Sequence, residues 1–101
     1  MSFQTLLPTQ ALDFIKEKGD ACLVMDVRSP YEFETGHLPM ALNIPVESIP
    51  GELSRIPTDK TLVIYCEHGS RSKLAANFLA HRGYPSVYHI QGGFSELAHL
   101  L

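Results

Sequence analysis

Tryptophan is absent from the 101-residue sequence, and cysteine is scarce, with Cys22 and Cys66 as its two examples. Two cysteines are too few for a disulfide scaffold or a four-cysteine zinc site, and in a reducing compartment both should be free thiols. Hydrophobic residues nevertheless make up 45% of the chain, which is enough to bury a core without cross-links. The sequence therefore predicts a single domain over residues 1–101 whose cysteines are free to do chemistry.

The sequence also lacks an excess of positive charge and any long apolar run. The formal net charge is -3 and the eight Lys and Arg residues are scattered, so no nucleic-acid-binding surface is indicated. No apolar run approaches the length of a membrane span, and the N-terminal "MSFQTLLPTQ" has neither the basic nor the apolar segment of a signal peptide. We therefore expect a cytoplasmic protein whose partners include neither nucleic acid nor membrane.

Short apolar runs alternate along the chain with stretches of helical periodicity. Near-continuous apolar runs predict strands buried on both faces of a parallel sheet, and they cover residues 22–27, 61–66, 86–90 and, more briefly, 41–45. Helices are predicted at 9–18, 72–82 and 93–101, with two short pieces in 46–56 on either side of Pro50 and Gly51. Such alternation predicts an α/β fold with a mainly parallel central sheet.

The helical stretch at 72–82 carries apolar side chains at the spacing of one helix face. That face holds Leu74, Ala75, Phe78 and Leu79, and the helix should end at the following glycine. We expect this face to pack against the sheet.

Cys66 ends one of the predicted strands, and a short loop leads from it into the helix at 72–82. In α/β sheets, ligands bind beyond the carboxyl ends of strands, where strand meets helix. Cys22 instead opens its strand at the opposite edge of the sheet, and we interpret it as a core residue. This placement favours Cys66 as the reactive thiol.

The loop after Cys66 is suited to holding an anion. Its backbone N–H groups and the positive end of the following helix dipole can converge on one point, where they would hold the sulfur as a nucleophilic thiolate. Gly69 supplies backbone freedom, and Ser70 or Ser72 can cap the helix. Arg71 adds positive charge. The predicted cradle consists of Glu67, His68, Gly69, Ser70, Arg71 and Ser72.

His68 and Glu67 flank the thiol, but we assign neither of them a role in proton transfer. His68 lies two residues from Cys66 along a tight loop, a poor position from which to remove its proton. Both side chains should face solvent at the mouth of the pocket. There, the negative charge of Glu67 should disfavour anionic substrates.

The five histidines do not form a metal-binding pattern. No spaced cluster of ligand residues accompanies Cys66 and His68, and His81, His89 and His99 are interpreted as surface or strand-edge residues. We therefore expect no metal site.

Three ordered blocks of sequence resemble those of the rhodanese family. "DVRSPYEFETGHLPMALNIP" at 26–45 is similar to the family's first block, "VIYCEHGSRS" at 63–72 to its active-site block, and "LAHRGYPSVYHIQGGF" at 79–94 to its closing block. Together these blocks cover most of the chain. The resemblance implies a rhodanese-like three-layer fold, with helices on both faces of a mainly parallel central sheet.

The same resemblance implies a sulfurtransferase in which Cys66 carries a persulfide. Cys66 would take a sulfane sulfur from thiosulfate or a low-molecular-weight persulfide and pass it to a thiol or to cyanide, by chemistry akin to thiol–disulfide exchange. A thioredoxin-like or other sulfur-accepting protein is a further partner consistent with this chemistry, and no metal or organic cofactor is required. Two alternatives stay open: a non-catalytic binding or regulatory module, and a sulfur shuttle dedicated to one partner enzyme.

The length of the loop separates this family from the related cysteine-dependent phosphatases. Those enzymes have five residues between the cysteine and the arginine, whereas four lie between Cys66 and Arg71. The shorter ring should be too tight for a phosphoryl group in line with the thiolate, which disfavours phosphatase or arsenate reductase activity.

Asp26 and Arg28 follow a predicted strand and should lie at the same edge of the sheet as Cys66. We expect a supporting role, in which Arg28 pairs with Asp26 or Glu32 and fixes the local loop. The nearby Glu34 and His37 are interpreted as scaffold residues that hydrogen-bond within their turn.

The sequence departs from the family pattern near its end. The family often has a tryptophan a few residues after the Gly-Gly pair, and Leu97 occupies the matching place in "GGFSEL". We expect Leu97 to fill the same core gap with less volume, which affects the packing of the last helix and not the chemistry.

Overall fold

The computed structural model describes residues 2–101, and within them five strands form one sheet. The strands are β1 (Gln4–Leu6), β2 (Cys22–Asp26), β3 (Leu42–Asn43), β4 (Thr61–Tyr65) and β5 (Val87–Ile90). Their order is β1-β5-β4-β2-β3, and every neighbouring pair is parallel. Because β4 is central, the residues that follow it lie at the middle of the sheet's carboxyl edge, where α/β proteins bind ligands.

Four α-helices lie among the described residues: α1 (Pro8–Lys18), α2 (Pro30–Thr35), α3 (Ser70–His81) and α4 (Gly93–Leu97). Two short 3-10 helices, Val46–Gly51 and Leu53–Arg55, occupy this region as predicted. The break between them falls at Glu52, however, and Pro50 and Gly51 lie inside the first helix. Further 3-10 turns span Gly19–Ala21 and Ala98–Leu100. None of the helices between residues 2 and 101 combines the length and the apolar character needed to cross a membrane.

The central strand β4 is buried on both of its faces, as its continuous apolar sequence predicts. Leu62, Ile64 and the following Cys66 pack with residues of α3. Val63 and Tyr65 point the other way and pack with residues of α1 and α4. The sheet therefore has helices on both faces, and the predicted three-layer α/β fold is confirmed.

The short strand β1 was not predicted from the sequence. It has three residues, of which only Leu6 is buried, so it leaves no apolar run to recognise. β1 pairs with β5 and places Thr5 beside His89. The strand β5 is therefore internal to the sheet, and the prediction that His89 is a surface or strand-edge residue is wrong, since this side chain is only 5% exposed.

The buried face of α3 is also displaced from the predicted one. Ala75 and Leu79 are buried as expected, but Leu74 is 64% exposed. Ala76 and Ala80 are buried in its place. Alanines at these two positions let the helix backbone approach the sheet closely, which leaves the larger Leu74 on the outer side.

Candidate active site

Cys66 lies directly after β4, and its sulfur is enclosed by the loop that leads into α3. The backbone N–H groups of Gly69 and Ser72 donate to Sγ with N···S distances of 3.1 and 3.2 Å. The whole residue is buried. Two converging backbone dipoles at this distance favour negative charge on the sulfur.

Gly69 gives the loop its tight turn. Its φ of +112° lies in the region that favours glycine, and its carbonyl accepts the N–H of Lys73 as α3 begins. Gly69 is the N-cap of α3, so the prediction that Ser70 or Ser72 caps the helix is wrong. Ser72 instead turns its hydroxyl inward, where Oγ lies 3.5 Å from Sγ and donates to the carbonyl of Gly69 at 3.0 Å.

A buried histidine joins this group. Nδ1 of His89 lies 3.1 Å from Oγ of Ser72. Burial, with a smaller contribution from the charge of Lys73, lowers the pKa of His89 below its ordinary value, so the ring is neutral near pH 7. The alternation of side chains along β5 was the available sequence signal, because it puts His89 on the same face as Val87, which packs with α3.

A second cluster centres on the buried guanidinium of Arg28. Nε and Nη2 donate to the carboxylate of Asp26, the shortest contact being 2.8 Å. Nη2 also donates to the carbonyl of Gly36 at 2.6 Å, and Nη1 to Oε1 of Glu67 at 2.9 Å. The guanidinium carbon lies 4.6 Å from the ring centre of Phe94. Arg28 thus joins β2, the end of α2, the cradle loop and α4.

The partners found for Arg28 revise two expectations. Asp26 is one of the two predicted partners, but Glu32 is not bound to Arg28. Glu67, which was expected to face solvent, is only 30% exposed and is paired with Arg28. Burial would lower the pKa of Arg28, but hydrogen bonds to Asp26 and Glu67 outweigh it and raise that pKa. Because the pairing offsets the charge of Glu67, this carboxylate opposes an anionic substrate less than the sequence predicts.

Arg71 is held at the side of the loop by Glu32. Nη1 and Nη2 donate to the two carboxylate oxygens at 2.7 and 2.9 Å. Glu32 is itself fixed at the start of α2, where Oε1 accepts the N–H of Ser29 at 3.0 Å. The hydrogen bond from Arg71 lowers the pKa of Glu32 to about 2, against an opposing effect of desolvation. The hydrogen bond to Glu32 also raises the pKa of Arg71, and the charge of Cys66 adds to that rise.

The start of α4 holds the cradle loop through backbone hydrogen bonds. The N–H of Phe94 donates to the carbonyl of Cys66 at 2.7 Å, and the N–H of Ser95 to that of Glu67 at 3.0 Å. Gly93 makes this approach possible, because a Cβ there would lie 2.5 Å from the oxygen of Cys66 and 2.6 Å from the backbone of Glu67. The second glycine of the Gly-Gly pair is therefore required by close contact between backbones.

A polar cleft of about 350 Å³ opens beside the loop. Its walls include His68, Gly69 and Ser70 of the loop, Lys73 of α3 and His89 of β5. No carboxylate is among the cleft-lining residues in the part of the chain that the structure describes. The cleft is therefore suited to an anion.

The other residues singled out from the sequence lie apart from the sulfur. Cys22 is half-buried at the opposite end of β2 from Asp26, and burial raises the pKa of its thiol. Nδ1 of His37 lies 2.6 Å from the carbonyl of Phe33, within the expected turn. Leu97 is fully buried in the core, as predicted. The exposed residues of this set are Glu34, His81 and His99.

The family model of the rhodanese-like domain matches residues 7–99. The chain belongs to the rhodanese-like domain family. One relative is the thiosulfate sulfurtransferase GlpE of Pseudomonas syringae. It is 36% identical to this chain over 92 residues, which cover 91% of this chain and 84% of GlpE.

Two further relatives agree with this family assignment. A sulfurtransferase of Allochromatium vinosum is 42% identical over 71 residues, which cover 70% of this chain and 66% of the relative. The solved structure of the single-domain sulfurtransferase RDL2 of Saccharomyces cerevisiae is similar at a TM-score of 0.83 and 26% identity, covering 99% of this chain and 92% of that one.

Gly93→Ala should destabilise the protein more than Gly83→Ala. Both glycines have positive φ, at +62° and +94°, but a Cβ at Gly83 meets no atom within 4 Å. Both variants carry a backbone strain of about 1–2 kcal/mol, and the contact with the cradle backbone should add about 1–3 kcal/mol for Gly93→Ala alone. Urea unfolding measures the difference. Equal losses for the two variants would contradict a close backbone contact at Gly93.

Glu32→Gln should remove an acid-sensitive part of the stability. The pKa of Glu32 is about 2 in the folded protein and 4.5 for the free side chain, so its charge stabilises the fold above pH 4.5. That contribution is lost as the pH falls from 4.5 to 2. The difference in free energy of unfolding between wild type and Glu32→Gln should therefore shrink over this range.

The exposed Glu34 of the same helix provides a control for the loss of a carboxylate from α2. Glu34→Gln should change the free energy of unfolding at pH 7 by less than Glu32→Gln does. A wild-type advantage over Glu32→Gln that stays constant between pH 4.5 and pH 2 would contradict the Arg71–Glu32 pairing.

Proposed function

We propose that this protein is a sulfurtransferase that passes a sulfane sulfur from a donor to a thiol or cyanide acceptor through a persulfide on Cys66. The observation that carries the proposal is the buried sulfur after β4, which lies 3.1 and 3.2 Å from two backbone nitrogens. Fixed dipoles of this kind stabilise an anion without reorganising during the reaction. Membership of the rhodanese-like family supports the same chemistry.

The reaction needs a sulfur anion on Cys66 before and after each transfer. In the first step the Cys66 thiolate attacks the outer sulfur of thiosulfate, the sulfur–sulfur bond breaks, and sulfite leaves with the bonding electron pair. Cys66 then carries an anionic persulfide. In the second step an acceptor thiolate or cyanide attacks the outer sulfur and releases the Cys66 thiolate. Each step is an exchange at sulfur, and the residues at the site supply no further reactant.

The donors that fit the site are anionic. Lys73 and His68 border the cleft beside the loop, and Arg28 balances the charge of Glu67. Thiosulfate and low-molecular-weight persulfides that bear carboxylates, such as glutathione persulfide, are therefore the proposed donors. The proposed acceptors are small thiols and a thioredoxin-like or other sulfur-accepting protein.

Phosphatase activity has less support at this site. Four residues separate Cys66 from Arg71, and the guanidinium of Arg71 is bound by both carboxylate oxygens of Glu32. An arginine engaged in this way is not free to hold the oxygens of a phosphoryl group at the sulfur.

Cys66→Ser should abolish sulfur transfer while leaving the fold intact, because a hydroxyl takes the place of the sulfur but cannot form a persulfide. The measurement is the mass of the intact protein after incubation with thiosulfate and, separately, with glutathione persulfide. Wild type should gain one sulfur atom, which cyanide or a thiol then removes. Cys22→Ser is the matched control and should gain and lose the sulfur as wild type does.

If Cys66→Ser also gained a sulfur atom, Cys66 would not be the nucleophile. A folded, reduced wild-type protein that gains no sulfur from either donor would instead support the non-catalytic module of the same fold. Gain of sulfur that only a protein acceptor removes would indicate a shuttle dedicated to one partner.

A further inference from the structure

The hydroxyl of Ser72 has three polar neighbours beside the sulfur. Sγ of Cys66 lies 3.5 Å away, the carbonyl oxygen of Gly69 lies 3.0 Å away, and Nδ1 of His89 lies 3.1 Å away. A serine hydroxyl has one proton to donate and two lone pairs to accept with. All three contacts can therefore be hydrogen bonds at the same time only if one neighbour accepts from the hydroxyl and the other two donate to it.

The hydrogens available to these contacts indicate which nitrogen of the neutral His89 ring is protonated. The carbonyl of Gly69 has no hydrogen, so the single proton of Ser72 points to it while Cys66 is a thiol. Cys66 then donates its S–H to Oγ. The remaining contact is satisfied only if Nδ1 of His89 carries a hydrogen. In the other neutral tautomer, the hydroxyl of Ser72 would have to turn its one proton to Nδ1, and its oxygen would then face the carbonyl oxygen of Gly69 at 3.0 Å with no hydrogen between them.

The surroundings of His89 keep the ring neutral without fixing its tautomer. The ring of Phe3 packs against it in a T-shaped arrangement, with ring centres 5.6 Å apart. Thr5 of β1 is its neighbour across the sheet. The charged or titratable groups around it are Lys73 of α3, His68 of the loop and Cys66 itself. The contact with Ser72 is therefore what selects between the two neutral forms.

We infer that His89 is a positioning residue that donates from Nδ1 to Ser72 and so frees the hydroxyl proton of Ser72 to reach the sulfur of Cys66. This inference rests on the proposed function. When the sulfur becomes a thiolate it can accept a third hydrogen bond, and the hydroxyl proton can rotate to it from the carbonyl of Gly69. That carbonyl keeps its bond from the N–H of Lys73.

Two amides and one hydroxyl then donate to the anionic sulfur. The amides belong to Gly69 and Ser72, and the hydroxyl is that of Ser72. A bare Nδ1 on His89 would instead compete with the sulfur for the hydroxyl proton. The tautomer of a side chain that does not touch the sulfur thus decides whether the third donor is available.

The tautomer can be read directly from nitrogen NMR of the reduced wild-type protein labelled with ¹⁵N-histidine at pH 7. The inference expects the proton of His89 on Nδ1 and a bare Nε2. A proton on Nε2 with a bare Nδ1 would overturn it. This measurement involves no sulfur donor, so it stands or falls independently of the proposed sulfurtransferase activity.

Two substitutions test the consequence for transfer. Asn at position 89 can place an amide N–H donor near the position of Nδ1, whereas Leu cannot donate. His89→Leu should slow persulfide formation from thiosulfate about three- to tenfold, because the hydroxyl of Ser72 loses the neutral hydrogen bond that orients its proton toward the sulfur, and should move the acid limb of the pH–rate profile to higher pH. His89→Asn should stay within about twofold of wild type at pH 7.

Matched controls separate positioning from folding. His81→Leu, an exposed change on α3, should transfer sulfur as wild type does, and thermal unfolding should show that every variant compared is folded. Equal losses in folded His89→Asn and His89→Leu would overturn the donor role. A wild type that gains no sulfur would refute the proposed function, while the NMR spectrum would still decide the tautomer.

Discussion

A guanidinium withdrawn from solvent needs its charge balanced inside the protein, and Arg28 obtains that balance from Asp26 and Glu67. Leaving such a charge unpaired would cost several kcal/mol. The chain therefore has to bring the end of β2 and the cradle loop together whenever Arg28 is buried. The carbonyl of Gly36 and the ring of Phe94 add contacts from the end of α2 and from α4. This one side chain therefore helps to set the position of the loop around the sulfur, together with the backbone hydrogen bonds from α4.

The cradle is built mainly from backbone groups, and this decides its chemistry. The sulfur of Cys66 accepts hydrogen bonds from the N–H groups of Gly69 and Ser72. The arginine of the loop, Arg71, forms an ion pair with Glu32. A full positive charge fixed against the sulfur would favour the anion but would also hold it back from attacking a donor. Backbone dipoles can stabilise an anion at the sulfur without an ion pair that each transfer would have to break, which suits the proposed sulfur carrier.

Features encoded in one short segment were predicted from the sequence. The place of Cys66 after a buried strand and the turn at Gly69 follow from local patterns of apolar residues and glycine. Pairs formed at long range were not predicted. Arg28 binds Glu67 and Arg71 binds Glu32 across 39 positions in each case, and single-sequence patterns do not say which of several acids a buried arginine will meet. His89 was misplaced because the three-residue strand β1, too short to leave a pattern, covers β5.

The most direct test of this account is a ¹H–¹⁵N NMR spectrum of the reduced protein before and after one equivalent of glutathione persulfide. The amide signals of Gly69 and Ser72 should move most, because these two groups donate to the sulfur that changes from thiolate to persulfide. Signals far from the loop, including that of Cys22, should stay in place. Large shifts around Cys22 with an unchanged loop would contradict the claim that the cradle of Cys66 carries the transferred sulfur.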